Sequence, residues 1–194
     1  MNNRVVVAIG GNSLIKDKSR QTVPDQYRAL AETCVHIADM VEKDYEVVIT
    51  SGNGPQVGFI LRRSELARHE LHEVPMDVCG ADTQGAIGYM IEQALHNEFR
   101  RRGVDKDVVG VVTQVRVSRD DPAFQNPDKP IGSFLDEKEA KRRAKEEGWT
   151  VKEDAGCGWR RVVPSPKPQE IIELPAIQSL VDNGFVVYAV GGGG

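Results

Sequence analysis

Three short stretches offer backbone that can close on a ligand with no side chain in the way: Gly10-Gly11-Asn12, Gly52-Asn53-Gly54 and the run from Gly191 to Gly194. Glycine lacks a Cβ, so main-chain N–H groups there can approach an anion closely. A helix starting just after such a stretch adds about half a positive charge at its first turn. The chemistry this suits is capture of a small phosphate or carboxylate, largely by main chain. One glycine pair alone is as well explained by a tight strand-to-helix turn. Three of them, after "VVVAI", "EVVIT" and "FVVYAV", favour a shared site. The commoner phosphate motifs are missing. No G-x-x-x-x-G-K-[ST] occurs, which excludes a Walker A loop. Gly52, Gly54 and Gly58 form G-x-G-x-x-x-G, one residue longer than the dinucleotide fingerprint. Glu73, about 20 residues on, falls in helix-to-loop sequence rather than at a strand end.

Elements must hold these stretches together. Residues 4–9 read as a strand buried on both faces, because they form an unbroken β-branched run. Residues 22–43 read as a helix. Thr22 can cap it, Asp25 follows three later, and Pro24 suits its first turn. Its apolar face is Tyr27, Leu30, Ala31, Cys34, Ile37, Ala38 and Val41. Residues 46–50 return to strand, helices are expected from Pro55 and over 77–102, and 107–117 is a strand again. A helix around "LPAIQSLVDNG" and a strand over 185–190 close the pattern. Such alternation predicts an α/β fold, a three-layer sandwich with a mostly parallel sheet. The carboxyl ends of parallel strands share one edge, where ligands bind.

Residues 118–168 break the rhythm. Proline and turn formers are followed by the charged helix "LDEKEAKRRAKEE" and a hairpin with Gly156 and Gly158 near its turn. This segment reads as a small protruding subdomain inserted into a core of residues 1–117 and 169–194. Trp149 and Trp159 are expected to form its small core.

The chain has 194 residues, 40% apolar and 28% charged, as in soluble globular proteins. Its net charge of −4 argues against general nucleic-acid affinity. Three widely spaced cysteines without a C-x-x-C pair suggest reduced thiols. Val5 to Ile9 is too short for a signal core, and no run approaches the ~18 apolar residues of a membrane span. These features predict a cytoplasmic protein without a membrane partner. "HELH" (His69 and His72) lacks the fifth position of a zinc motif, since residue 73 is glutamate. Asp120-Asp121 before Pro122 reads as an Asx-type turn rather than a metal site. The charges of "EAKRRAKEE" mostly balance, as on a solvated helix.

At this point four segments, in order, resemble carbamate kinase, of the amino-acid-kinase fold: "VVVAIGGNSL", "VITSGNGPQVG", "DKPIG" and "VYAVGGGG". "SGNGPQVG" after a strand is the most specific. The insert with "KPIG" separates this family from acetylglutamate and aspartate kinases. The resemblance implies reversible phosphoryl transfer from carbamoyl phosphate to ADP, giving ATP and carbamate, with Mg²⁺ accompanying the nucleotide. It implies substrate-binding roles for Gly10, Gly11, Asn12, Gly52, Asn53, Gly54, Gly192 and Gly193. Asn12 and Asn53 would offer donors and acceptors to the carbamate end. By match to "KPIG", Lys129 would be catalytic, brought onto the substrate phosphate by the protruding lobe. A homodimer is implied as well, and "ADTQGAIGYMIEQAL" offers Ala81, Gly85, Ala86, Ile87, Tyr89 and Met90 at helical spacing, a face that suits the core more readily than a subunit contact.

Members of that family continue past this glycine loop, so the chain is expected to be the amino-terminal part, with the carboxyl-terminal half and most of the nucleotide pocket absent. It is then expected to be inactive alone, with strand 185–190 exposing one unpaired side. Two alternatives stand beside this reading: a non-catalytic small-anion-binding module and a dinucleotide-binding protein.

Overall fold

The computed structural model describes residues 3–15, 19–154 and 156–192, and of Asn12 only the main chain. In chain order the elements are β1 (Arg4–Ile9), α1 (Val23–Val41), β2 (Glu46–Ser51), α2 (Gly54–Ala67), α3 (Met76–Arg102), β3 (Val108–Val111) and β4 (Val115–Val117). Then follow β5 (Lys129–Leu135), α4 (Glu137–Glu147), β6 (Val151–Glu153), β7 (Trp159–Val163), β8 (Pro168–Ile171), α5 (Leu174–Asp182) and β9 (Val186–Ala189). The chain divides into two compact units. The first gathers residues up to 53, 80–114 and those from 171; the second holds 54–79 and 115–170.

The first unit is a parallel sheet of order β1-β2-β9-β3 between helical layers. Side chains alternate across each strand. Val186 and Tyr188 of β9 therefore face one way, packing with Leu30, Ile37, Ile87, Ile91, Leu95 and Phe99 of α1 and α3. Val187 and Ala189 face the other way, onto Ile177 and Val181 of α5. Each such buried aliphatic or aromatic side chain contributes about 1.5–3 kcal/mol. This is the three-layer α/β arrangement expected from the alternation. α1 begins as its sequence predicts. Thr22 Oγ1 accepts from Asp25 N–H, and the Asp25 carboxylate accepts from Thr22 N–H at 3.1 Å. At its other end, Arg102 of α3 clamps α1 through Asp39 and Glu42, both at 2.6 Å, and the carbonyl of Val35.

Three expectations change. The expected strand 107–117 is two strands in different sheets: β3 joins the main sheet and β4 pairs with β8. Side chains replace strand partners at the break. Thr113 N–H donates to Gln84 Oε1 at 2.8 Å, and Gln114 N–H to the Glu173 carboxylate at 2.7 Å. β9 has no open side, because β3 fills the position next to it and all four of its residues are buried. β1 is instead an edge strand, and Val6 is 69% exposed, because α5 lies over β9 and β2. α2 ends at Ala67, and His69 and His72 beyond it are exposed, as surface histidines.

α3 presents two faces. Ile87 and Met90 enter the core, whereas Ala81, Gly85, Ala86 and Tyr89 remain exposed. Among the described residues, no helix is long and apolar enough to cross a membrane.

The second unit is built on the antiparallel sheet β5-β7-β6, with α2 packed on β5 and α4 on β7. The β6–β7 hairpin turns through Gly156 and Gly158, at φ 74° and 127°. Neither tryptophan is fully buried. Arg143 and Arg161 lie over the Trp149 ring at 5.0 and 4.7 Å instead. α4 is capped by Asp136, whose carboxylate accepts from Glu139 N–H at 2.8 Å, and ends at left-handed Gly148. Asp121 forms the expected turn, accepting from the N–H groups of Ala123 and Lys167.

Candidate functional site

β1, β2 and β9 run parallel side by side, so the turns at their carboxyl ends lie along one edge. Two hydrogen bonds tie these turns to the ends of the neighbouring strands. Gly52 N–H donates to Ile9 C=O at 2.9 Å, and Gly192 N–H to Ser51 C=O at 2.8 Å. The first turn folds back on itself, with Ser13 N–H donating to Gly10 C=O at 2.9 Å.

The close approach of these turns excludes side chains. A Cβ at Gly52 would stand 2.9 Å from the main-chain nitrogen of Gly11. A Cβ at Gly192 would fall on the Asn53 amide group, and Gly192 also has φ +71°. Gly10, Gly11, Gly52, Asn53 and Gly192 are thereby gathered at one edge. One expectation changes. The N–H groups of Gly52 and Gly192 already serve protein carbonyls, so these two glycines shape the edge by proximity and do not donate to an anion. Gly193 and the side chain of Asn12 lie outside the described residues. Gly54 is the first residue of α2, where helical N–H groups lack intrahelical acceptors. Lys129 opens β5 in the second unit, opposite Val163, and is exposed.

Beneath the edge lies a neutral polar layer that sequence reasoning missed. Ser51 Oγ and the Tyr188 hydroxyl are 2.9 Å apart and buried. Burial raises the Tyr188 pKa, opposed by the Ser51 bond, so the phenol stays protonated. Gln84 accepts from Thr113 N–H and Oγ1 and donates to Thr113 C=O. Asn53 Nδ2 donates to Thr83 Oγ1 at 2.7 Å. Thr83 and Gln84 are 1% and 6% exposed on α3. Adjacent polar residues inside a helix that must bury a face were the available signal.

The end of β9 is also strained. Val190 has φ 56°, a region a β-branched residue enters at about 1–3 kcal/mol. Thr50 Oγ1 holds it by donating to its carbonyl at 2.6 Å. Together these described groups form a hydrogen-bonded, uncharged edge suited to holding and orienting a small polar ligand. Among the described residues, no three His, Cys, Asp or Glu side chains gather to hold a metal ion.

The amino acid kinase family profile matches residues 3–194. The carbamate kinase of Pyrococcus horikoshii is 53% identical over 196 residues, which cover 100% of this chain and 62% of that protein. The carbamate kinase of Thermococcus kodakarensis is 55% identical, over 98% of this chain and 62% of its own length. Among solved structures, carbamate kinase from Giardia lamblia bound to AMP-PNP superposes with a TM-score of 0.89 at 43% identity, over 98% of this chain and 61% of that one. The chain thus spans about 62% of the length of the curated relatives it matches.

Proposed function

The chain belongs to the amino acid kinase family, and on that footing we propose that it supplies the substrate-holding side of a carbamate kinase, which makes ATP and carbamate reversibly from carbamoyl phosphate and ADP. The observation that carries this reading is the meeting of the Gly10-Gly11, Gly52-Asn53 and Gly191-Gly192 turns at one sheet edge. Carbamoyl phosphate is small, planar at one end and doubly negative at the other. The amides of Gly10, Gly11, Asn53 and Gly54 bind its phosphoryl oxygens, Gly52 and Gly192 allow close contact, and the asparagine side chains read the carbamoyl end. An oxygen of the ADP β-phosphate attacks phosphorus in line. The bond from phosphorus to the carbamoyl oxygen breaks, and carbamate leaves with that electron pair.

Such transfer depends on positioning and charge neutralisation more than on covalent catalysis. Among the described residues the edge carries no charged side chain, and the transfer also needs neutralising cations. We assign one to Lys129, in keeping with its "KPIG" context. We place Mg²⁺ with the nucleotide phosphates; among the described residues no three His, Cys, Asp or Glu side chains gather to hold it. We further propose that the 194 residues bind carbamoyl phosphate without turnover by themselves. The exposed Ala81, Gly85 and Tyr89 face of α3 is our candidate for a homodimer contact, and the cytoplasm is our proposed location.

The test pairs calorimetric binding of carbamoyl phosphate to this chain with a coupled assay for ATP formed from carbamoyl phosphate and ADP. Binding without turnover here, and turnover in a complete protein carrying this segment, is the expected result. In that complete protein, Lys129→Ala should lower kcat while leaving nucleotide affinity nearly unchanged. Absence of carbamoyl phosphate binding refutes the assignment, and turnover by the 194 residues alone refutes the need for further cations.

A further inference from the structure

Thr83 has one hydroxyl proton and spends it inside its own helix, donating to the Gly80 carbonyl at 2.8 Å. Its oxygen can therefore meet Asn53 only as an acceptor. Asn53 obliges by donating from Nδ2 at 2.7 Å. Thr83 is 1% exposed, so water does not compete for that oxygen. These bonds fix which way the Asn53 amide points: Nδ2 toward α3 and Oδ1 away from it. The amide also lies against the α-carbon of Gly192, where a Cβ would overlap it. Among the described residues, Oδ1 has no partner, and Asn53 is only half-buried.

We infer that Thr83 is a positioning residue for substrate choice: by orienting Asn53 it presents Oδ1, an acceptor, to the ligand, and so favours an acyl phosphate bearing an N–H at that place. This rests on the proposed function and deepens it. Carbamoyl phosphate and acetyl phosphate have nearly the same shape and charge. They differ in an NH₂ group against a methyl group. An N–H satisfies Oδ1, whereas a methyl covers it and leaves it without a hydrogen bond, a difference of about tenfold or more in affinity. With the Thr83 oxygen removed, the amide is free to turn over. It can then present Nδ2, and the distinction fades.

The experiment measures dissociation constants of carbamoyl phosphate and acetyl phosphate with the 194-residue chain and its Thr83→Val and Thr83→Ser variants. The original chain is expected to prefer carbamoyl phosphate by about tenfold or more. Thr83→Val should bring the ratio near one, and Thr83→Ser, which keeps the hydroxyl, should restore it. General loosening of the edge would weaken both ligands together and leave the ratio unchanged. A Thr83→Val variant that keeps the original ratio overturns the inference, as does Thr83→Ser behaving like valine. Equal binding of both ligands by the original chain sinks the inference and spares the acyl phosphate site, whereas binding of neither sinks both. Should the valine variant not fold, hydrogen exchange of the Asn53 side-chain amide in the original chain decides. Protection of an Nδ2 proton supports the fixed orientation, and exchange at the rate of a free amide refutes it.

Discussion

Gly52 and Gly54 sit two residues apart in the same "SGNGPQVG" segment, yet their replacement by alanine should have opposite consequences. A Cβ at position 52 would lie 2.9 Å from the nitrogen of Gly11, with the Gly11 α-carbon at 3.5 Å and the Gly10 carbonyl carbon at 3.9 Å. The first contact is about 0.5 Å shorter than ordinary van der Waals contact, which begins at 3.4 Å. Every atom met is main chain, so no rotamer change relieves it. Either the Gly10–Ser13 turn is displaced, or the Gly52 N–H···O=C Ile9 bond stretches. Overpacking of this kind costs about 1–3 kcal/mol. For a chain of this size that lowers Tm by roughly 2–12 °C, at about 2–4 °C per kcal/mol. Because the displaced turn carries the Gly11 amide, affinity for carbamoyl phosphate should fall by about tenfold or more. At Gly54 a Cβ meets nothing within 4 Å, and the residue starts α2. Alanine there should be neutral or stabilise by about 0.4–1 kcal/mol. Circular dichroism melts and calorimetric titrations of the two variants side by side give the comparison. If Gly52→Ala melts and binds like Gly54→Ala, the edge is not as tight as described, and the argument that glycine is required there is wrong.

The Glu98 carboxyl is held down to about 2 by hydrogen bonds from Arg101 and Arg102. The folded chain therefore binds fewer protons than the unfolded one between the ordinary carboxyl value and about 2. That contribution is complete above the ordinary value and is lost as pH falls toward 2. Glu98→Gln should accordingly flatten the acid side of the stability profile, measured by urea unfolding at several pH values; an unchanged acid slope would refute the clamp. Burial pushes the Cys34 thiol up to about 12, Cys79 is also buried, and Cys157 is exposed. One thiol of the three should react promptly with an aromatic disulfide reagent in the folded chain, and all three in denaturant. Thr22→Ala removes the cap of α1 and should destabilise by about 1 kcal/mol, read from the same unfolding curves.

Much of this protein was legible locally. Thr22, Pro24 and Asp25 announce the start of α1 by chemistry confined to a few neighbouring residues. The turn glycines 156 and 158 announce the β6–β7 hairpin in the same way. The apolar run of β2 and the period of α1 likewise report burial directly, because side-chain direction follows from backbone geometry. Position 107–117 misled for the opposite reason. Its β-branched composition suits a single strand, but distant side chains, Gln84 and Glu173, capture the amides of Thr113 and Gln114 and end the ladder.

The amino-acid order alone thus determined the alternation of strands and helices, the caps and turns, and the three glycine stretches, since each follows from periodicity or from backbone freedom within a few residues. Only the tertiary structure decided that β9 lies between β2 and β3, that two of the edge amides are already bonded, and that a buried threonine orients Asn53. Those features depend on partners 30 to 140 positions apart, such as Asn53 with Thr83 and Thr50 with Val190. No local pattern encodes such pairings, because burial and strand order select them only when the layers come together.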